Sequence, residues 1–285
     1  MSLASRLATA FLATHPLDAA PVVERLPPAE AAQALAAAPA GVAAGVLRHM
    51  APPAAAECLE LLGPAGAAPI VAALPLDGAA LLLRRLPEPA LGATLAEMPA
   101  EAAAALATVL RHPPYTAGAF MDPRVLAAPG DMTVGEAFAR IRQSPRHVLY
   151  YLYVVDRTGR LVGVLNLREL MLAPVDATLG AVMRPATARL TALDGMGAVV
   201  VHPGWRALHA LPVVDAGGRF VGAIRYETIR RLEALPERAA PGDSRVGLWL
   251  GLAELCWIGL TGVLVSVGPP SSGSSGEAPA GGRPS

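Results

Sequence analysis

The chain has 285 residues, of which 53% are hydrophobic and 16% charged, and its formal net charge is zero. That length supports two ordinary domains with separate cores, and the lack of a basic field excludes nucleic acid as a partner. The two cysteines, Cys58 and Cys256, stand far apart in unlike surroundings, which argues against a disulfide framework and fits a reducing compartment.

The first twelve residues carry one arginine and a short, mildly apolar stretch without a clear cleavage site, so a signal peptide is not expected. A repeat of twelve residues follows. Pro27, Pro39, Pro75, Pro87 and Pro99 share one register, with Ala51 and Gly63 filling the gaps. Four residues on come Ala31, Ala43, Ala55, Ala67, Ala79, Leu91 and Ala103. Eight on come Leu35, Leu47, Leu59, Val71, Leu83, Leu95 and Ala107. Offsets of four and eight lie on one helical face, and proline suits the first helical turn, where its missing N–H is not needed. Each unit reads as a helix of about two turns, too short to stand alone. Stacked units would bury the Leu/Ala stripe as a small α-solenoid over residues 16–112. The acids scattered through it, Asp77 among them, read as a solvated face, with a divalent-cation site as the alternative.

The middle of the chain changes character. Val134 to Arg142 reads as a helix led by a capping box at Thr133 and Glu136. Tyr150 to Asp156 is aromatic and β-branched, hence a strand; Asp156 to Gly159 is a turn; Leu161 to Leu165 is a second strand; Leu167 to Leu172 continues as a helix. The same order recurs. Val154, Val155, Asp156, Gly159, Arg160 and Gly163 match Val213, Val214, Asp215, Gly218, Arg219 and Gly222 at one constant offset, and Met121-Asp-Pro123 and Met183-Arg-Pro185 open the two halves. Gly and Pro in 194–197 and 202–204 weaken the first helix of the second half.

The duplicated hairpin with its opening Met-x-Pro resembles a tandem pair of CBS (cystathionine-β-synthase type) modules, at about 115–173 and 179–235 within 113–235. With the proline-punctuated helical region (1–112) ahead of it, the arrangement resembles the cytosolic half of MgtE-type magnesium transporters. The fold class expected is α + α/β: an N-terminal α-solenoid of short helices, a tandem CBS pair and one hydrophobic helix. The resemblance implies a homodimer formed through the CBS pair, sensing of intracellular Mg²⁺, and binding of ATP or another adenine nucleotide between the modules. Nucleotide-binding CBS modules show Gly-x-x-Thr/Ser-x-x-Asp. Here the first module offers Gly163, Asn166 and Glu169, and the second offers Gly222, Arg225 and Thr228 without a carboxylate. Asn can hydrogen-bond, Glu can accept from a ribose and Arg225 can attract phosphate; the other reading is a purely structural hairpin pair. The family's acidic sensor on the last CBS helix and connector is reduced to Glu227, Glu233 and Glu237 among Arg230, Arg231 and Pro236, a sparse ligand set for Mg²⁺.

A connector, 236–245, leads to Val246–Val267, a run of 22 residues with Glu254 as its one charged side chain. As a helix it spans about 33 Å, enough for a bilayer, with Glu254 costing about 2–3 kcal/mol near the midplane. The arginines before it keep 1–245 cytoplasmic at a cell membrane; a buried or interfacial helix in a cytoplasmic protein is the alternative. Residues 268–285 are rich in Gly, Pro and Ser and read as disordered. The six histidines pair with no acid or cysteine at ligand spacing, and no nucleophile or phosphate-loop motif occurs, so no enzyme is expected. The function expected is a regulatory part of magnesium transport without its own pore, partnered by a membrane transporter subunit. The alternatives are a CBS-type nucleotide sensor or a dimeric scaffold unrelated to transport.

Overall fold

The twelve-residue register sets the helix boundaries. The computed structural model describes residues 3–143 and 150–234, and the expectations for 236–285, Glu237 and Glu254 included, lie outside them. Eight helices come first: α1 (Leu3–Thr14), α2 (Pro16–Val23), α3 (Pro28–Ala36), α4 (Ala40–Leu47), α5 (Pro52–Ala73), α6 (Leu76–Leu83), α7 (Glu88–Ala96) and α8 (Ala100–Leu110). The register prolines stand one position earlier than expected. Pro27, Pro39, Pro75, Pro87 and Pro99 are N-cap residues, with φ between −51° and −56° and ψ between 133° and 145°. The extended ψ of an N-cap suits proline as well as a first-turn position does, and the carbonyl is kept for the helix. Each register carbonyl accepts the amide four residues on, as in Ala31 to Pro27 at 3.0 Å, Ala79 to Pro75 at 2.9 Å and Ala103 to Pro99 at 3.0 Å. Where Ala51 replaces proline, its free N–H donates to the Glu24 carboxylate.

Gly63 fills its gap differently. At φ 68° and ψ 171° it divides α5 into two repeat helices, a backbone region open to glycine alone. The length and apolarity of Pro52–Ala73 would suit a membrane span, but the break and the packing of α3, α4, α6 and α7 on it make it part of the helical stack. Open space surrounds the position where a Gly63 Cβ would lie, so Gly63→Val should act through the backbone alone. Urea unfolding should show a loss of about 1–3 kcal/mol.

The expected stripe is buried through the first five units: Ala31, Ala43, Ala55, Ala67 and Ala79, with Leu35, Leu47, Leu59, Val71 and Leu83. It fades in the last two. In α7 only Thr94 is buried, and α8 buries Ala105, Leu106 and Val109 instead of Ala103 and Ala107. The cause is the neighbour: α8 packs on α6 and on α9 (Ala117–Phe120), not on a further repeat.

Two small sheets follow. In the first, β1 (Ala127–Pro129) runs parallel to β2 (Tyr151–Val155), which pairs antiparallel with β3 (Leu161–Asn166). The helices α10 (Val134–Gln143) and α11 (Leu167–Leu172) cover it. In the second, β5 (Leu190–Thr191) runs parallel to β6 (Ala210–Val214), and β6 pairs with β7 (Phe220–Arg225). The second module opens with α12 (Leu179–Val182) and β4 (Arg184–Pro185), and β4 joins the first sheet beside β3. The predicted capping box holds: Thr133 N donates to Glu136 at 2.8 Å, and Glu136 N donates to Thr133 Oγ1 at 3.3 Å. As Gly195, Gly197 and Pro203 foretell, the counterpart of α10 shrinks to α13 (Met196–Val200) and a 3-10 turn, Pro203–Arg206. The last described helix is α14 (Tyr226–Ala234).

Each module completes the other's sheet. Asp122, from the first Met-x-Pro, exchanges backbone hydrogen bonds with Ala223 on β7, at 2.8 and 3.1 Å. Arg184 and Pro185, from the second, form β4 along β3. This crossing explains the closing glycine of each hairpin motif. A Cβ on Gly163 would lie 2.2 Å from Met183 Sδ, and one on Gly222 would lie 2.8 Å from the Asp122 carbonyl oxygen. The two hairpin turns also pair, with Leu161 N donating to Gly218 O and Phe220 N to Gly159 O.

Candidate functional site

The pseudo-repeat creates two matching positions, one at the end of each hairpin. The four residues expected to hold a nucleotide are divided between them. At the first position Asn166 caps α11. Its side chain accepts from Glu169 N at 2.7 Å, and Glu169 Oε2 accepts from Asn166 N at 3.1 Å, a reciprocal capping box. Glu169 Oε1 is enclosed and accepts no hydrogen bond. The Arg184 guanidinium lies against it as an ion pair. Arg184 reaches there because β4 sets it opposite Val164, and its side chain is 75% exposed. Tyr151 faces Asn166 across the β2–β3 ladder, and its hydroxyl accepts from His209 N at 3.3 Å. Beside Gly163, Met183 fills the space that a Cβ would take.

At the second position the charges are inverted. The opening segment supplies an acid, Asp122, and the strand end supplies the cation, Arg225, with 3.1 Å between Nη2 and Oδ2. Asp122 also accepts two side-chain hydrogen bonds from Arg124, at 3.0 and 3.1 Å. Burial pushes the Asp122 carboxyl up, but the hydrogen bonds from Arg124 and the charges of Arg124 and Arg225 outweigh it, leaving it below the ordinary value. The same partnership raises Arg124. Thr228, buried at 7% exposure, accepts from Arg231 Nη2 at 3.3 Å. These groups line a cavity of about 240 Å³, whose opposite wall is Leu74 to Asp77 of the helical domain. Arg225 is therefore occupied by Asp122, and among the described residues no hydrogen bond or ion pair joins it to Asn166 or Glu169.

Of the acids expected to meet Mg²⁺, Glu227 is exposed and accepts from the Tyr150 hydroxyl at 3.2 Å. Glu233 lies six residues further along α14, and Glu237 lies outside the described residues. Among the described residues, no group of three or more His, Cys, Asp or Glu side chains is placed to hold a metal. Sequence reasoning did not single out Arg184 or Asp122. Their signal was the Met-x-Pro pair itself, once its partner strands are known.

The MgtE intracellular N domain family matches residues 14–115, and the CBS domain family matches residues 117–176. The magnesium transporter MgtE of Thermus thermophilus is 31% identical over 175 residues, 55% of this chain and 38% of the relative. That of Bacillus subtilis is 28% identical over 141 residues, 47% of this chain and 30% of the relative. The matched stretch thus spans less than two-fifths of these transporters. Among solved structures, the cytosolic domain of the Mg²⁺ channel MgtE in complex with ATP aligns with a TM-score of 0.66 and 29% identity, covering 79% of this chain and 93% of that one. The soluble part of a magnesium transporter aligns with a TM-score of 0.56 at 21% identity, covering 80% and 96%, which speaks for the fold. The order of domains, the duplicated hairpins and these matches agree: the chain carries an MgtE intracellular N domain followed by CBS modules.

Proposed function

We propose that this chain is a regulatory part of magnesium transport that binds an adenine nucleotide at its first CBS position. The observation that carries the nucleotide reading is the Glu169 carboxylate at the end of the first hairpin, capped with Asn166 and ion-paired with the largely exposed Arg184. With Arg184 turned from the carboxylate to phosphate, ribose hydroxyls would donate to Glu169, and the Asn166 amide would also meet phosphate. The likeness to an ATP-bound MgtE cytosolic domain supports the same choice. Arg225, tied to Asp122, has no part in this site. Glu227, Glu233 and Glu237 would meet Mg²⁺ only with further oxygen ligands, since Mg²⁺ keeps a near-octahedral shell.

A homodimer through the CBS pair is supported by apolar side chains left in solvent, Met171, Leu172 and Val175 in the first module and Leu193 and Val201 in the second. The run 246–267 would anchor the chain at the cell membrane with 1–245 in the cytoplasm, beside a transporter subunit. The second reading, a nucleotide sensor without a transport role, rests on the same Glu169 site.

Isothermal titration of the full chain with ATP, ADP and AMP tests the site. Binding is expected, and Glu169→Ala should weaken it about tenfold, the effect of losing one charge-assisted hydrogen bond. An affinity unchanged by Glu169→Ala would remove Glu169 from the site.

A further inference from the structure

The hydrophobic core does not follow the domain boundaries expected from the sequence. One continuous cluster runs from Leu12 through Leu74, Leu83 and Val109 into Ala117, Met121, Leu211, Ile224 and Ile229. The helical domain and the second CBS module thus share a core, whereas the first module keeps its own around Leu152, Leu165 and Leu170. Polar contacts cross the same seam. Asp77, in the first turn of α6, faces Arg231 of α14 at 3.9 Å. Arg231 is held by the buried Thr228 hydroxyl. Beside them Asp122 ties Arg225 and Arg124. Three guanidinium groups and two carboxylates therefore line the walls of one cavity.

We propose that this arginine–aspartate set latches the helical domain onto the second CBS module without a bound cation. Asp77 and Asp122 are the carboxylates that line the cavity, and each already faces a guanidinium. A divalent ion placed there would meet three guanidinium charges against two carboxylates, a net positive lining that does not suit a cation. The shared apolar core supplies the attraction, and the Asp77–Arg231 pair sets the register of the two surfaces. The helical domain and second module are then held in one register, while the first module stays joined to the second through Asp122, β4 and Tyr153. This inference does not depend on the nucleotide reading.

Hydrogen exchange of the full chain in detergent tests it, read over residues 74–80 and 117–122. Protection should be equal in EDTA and in Mg²⁺. Exchange should quicken in 1 M salt, which screens a half-exposed pair, and should rise roughly fivefold in Arg231→Glu, the scale of one such ion pair. The reversed pair, Asp77→Arg with Arg231→Glu, should restore protection. Protection that collapses on chelation would overturn the latch. So would exchange indifferent to salt, to Arg231→Glu and to the reversal alike, and the salt series reads the wild-type chain even where a variant folds poorly.

Discussion

Tyr153→Ala should destabilise the chain by about 3–5 kcal/mol in urea unfolding, the cost of removing a fully buried aromatic ring. Tyr153 is 1% exposed and lies between the two CBS modules with Leu161, Val214 and Ala223. Its ring stacks on Phe220, with centroids 4.8 Å apart. It therefore holds strand β2 of one module against strand β7 of the other, and a cavity there cannot collapse without separating the sheets. The hydroxyl matters less. It donates to the Ala210 carbonyl at 3.4 Å, near the limit of a hydrogen bond. Tyr153→Phe should then cost under about 1 kcal/mol. A large loss in both variants would place the stabilisation in the hydroxyl and contradict the packing account.

Gly222→Val should cost about 3 kcal/mol, at the upper end for overpacking, because the obstacle is backbone. The Asp122 carbonyl oxygen lies 2.8 Å from the site of a new Cβ, and Met121 Sδ lies 3.0 Å from it. The equivalent Gly163 is closer to its neighbour, but that neighbour is the flexible Met183 side chain, with the Arg184 carbonyl at 3.0 Å. Gly163→Ala should therefore be the milder of the two. Gly222→Val should also expose the Asp122 and Ala223 amides, which pair across the modules. Proton exchange at those two amides, measured beside the unfolding curve, separates a local displacement from global loss.

Much of the fold is legible before any coordinates. Helix starts follow the proline register, since proline limits where a helix can begin. The Thr133–Glu136 box and the Asp156 and Asp215 turns follow from contacts within a few residues. The weakened α13 follows from its glycines. What the sequence did not disclose is long-range. No periodicity shows that Met121-Asp-Pro123 joins the far sheet, so Asp122 and Arg184 could not be paired with Arg225 and Glu169. For the same reason Arg225 was grouped with Asn166, although the strand that carries it ends against another partner. The shared core of helical domain and second module is equally hidden, because its halves are separated by roughly a third of the chain.

The measurement that bears most directly on the proposed role is Mg²⁺ flux. The full chain reconstituted in liposomes loaded with a Mg²⁺ indicator should give no uptake above empty liposomes, because a Mg²⁺ pathway needs several oxygen ligands around a hydrated ion and the run 246–267 carries one carboxylate, Glu254. Uptake above the empty vesicles, abolished by Glu254→Ala, would contradict a regulatory role and make the chain an oligomeric channel.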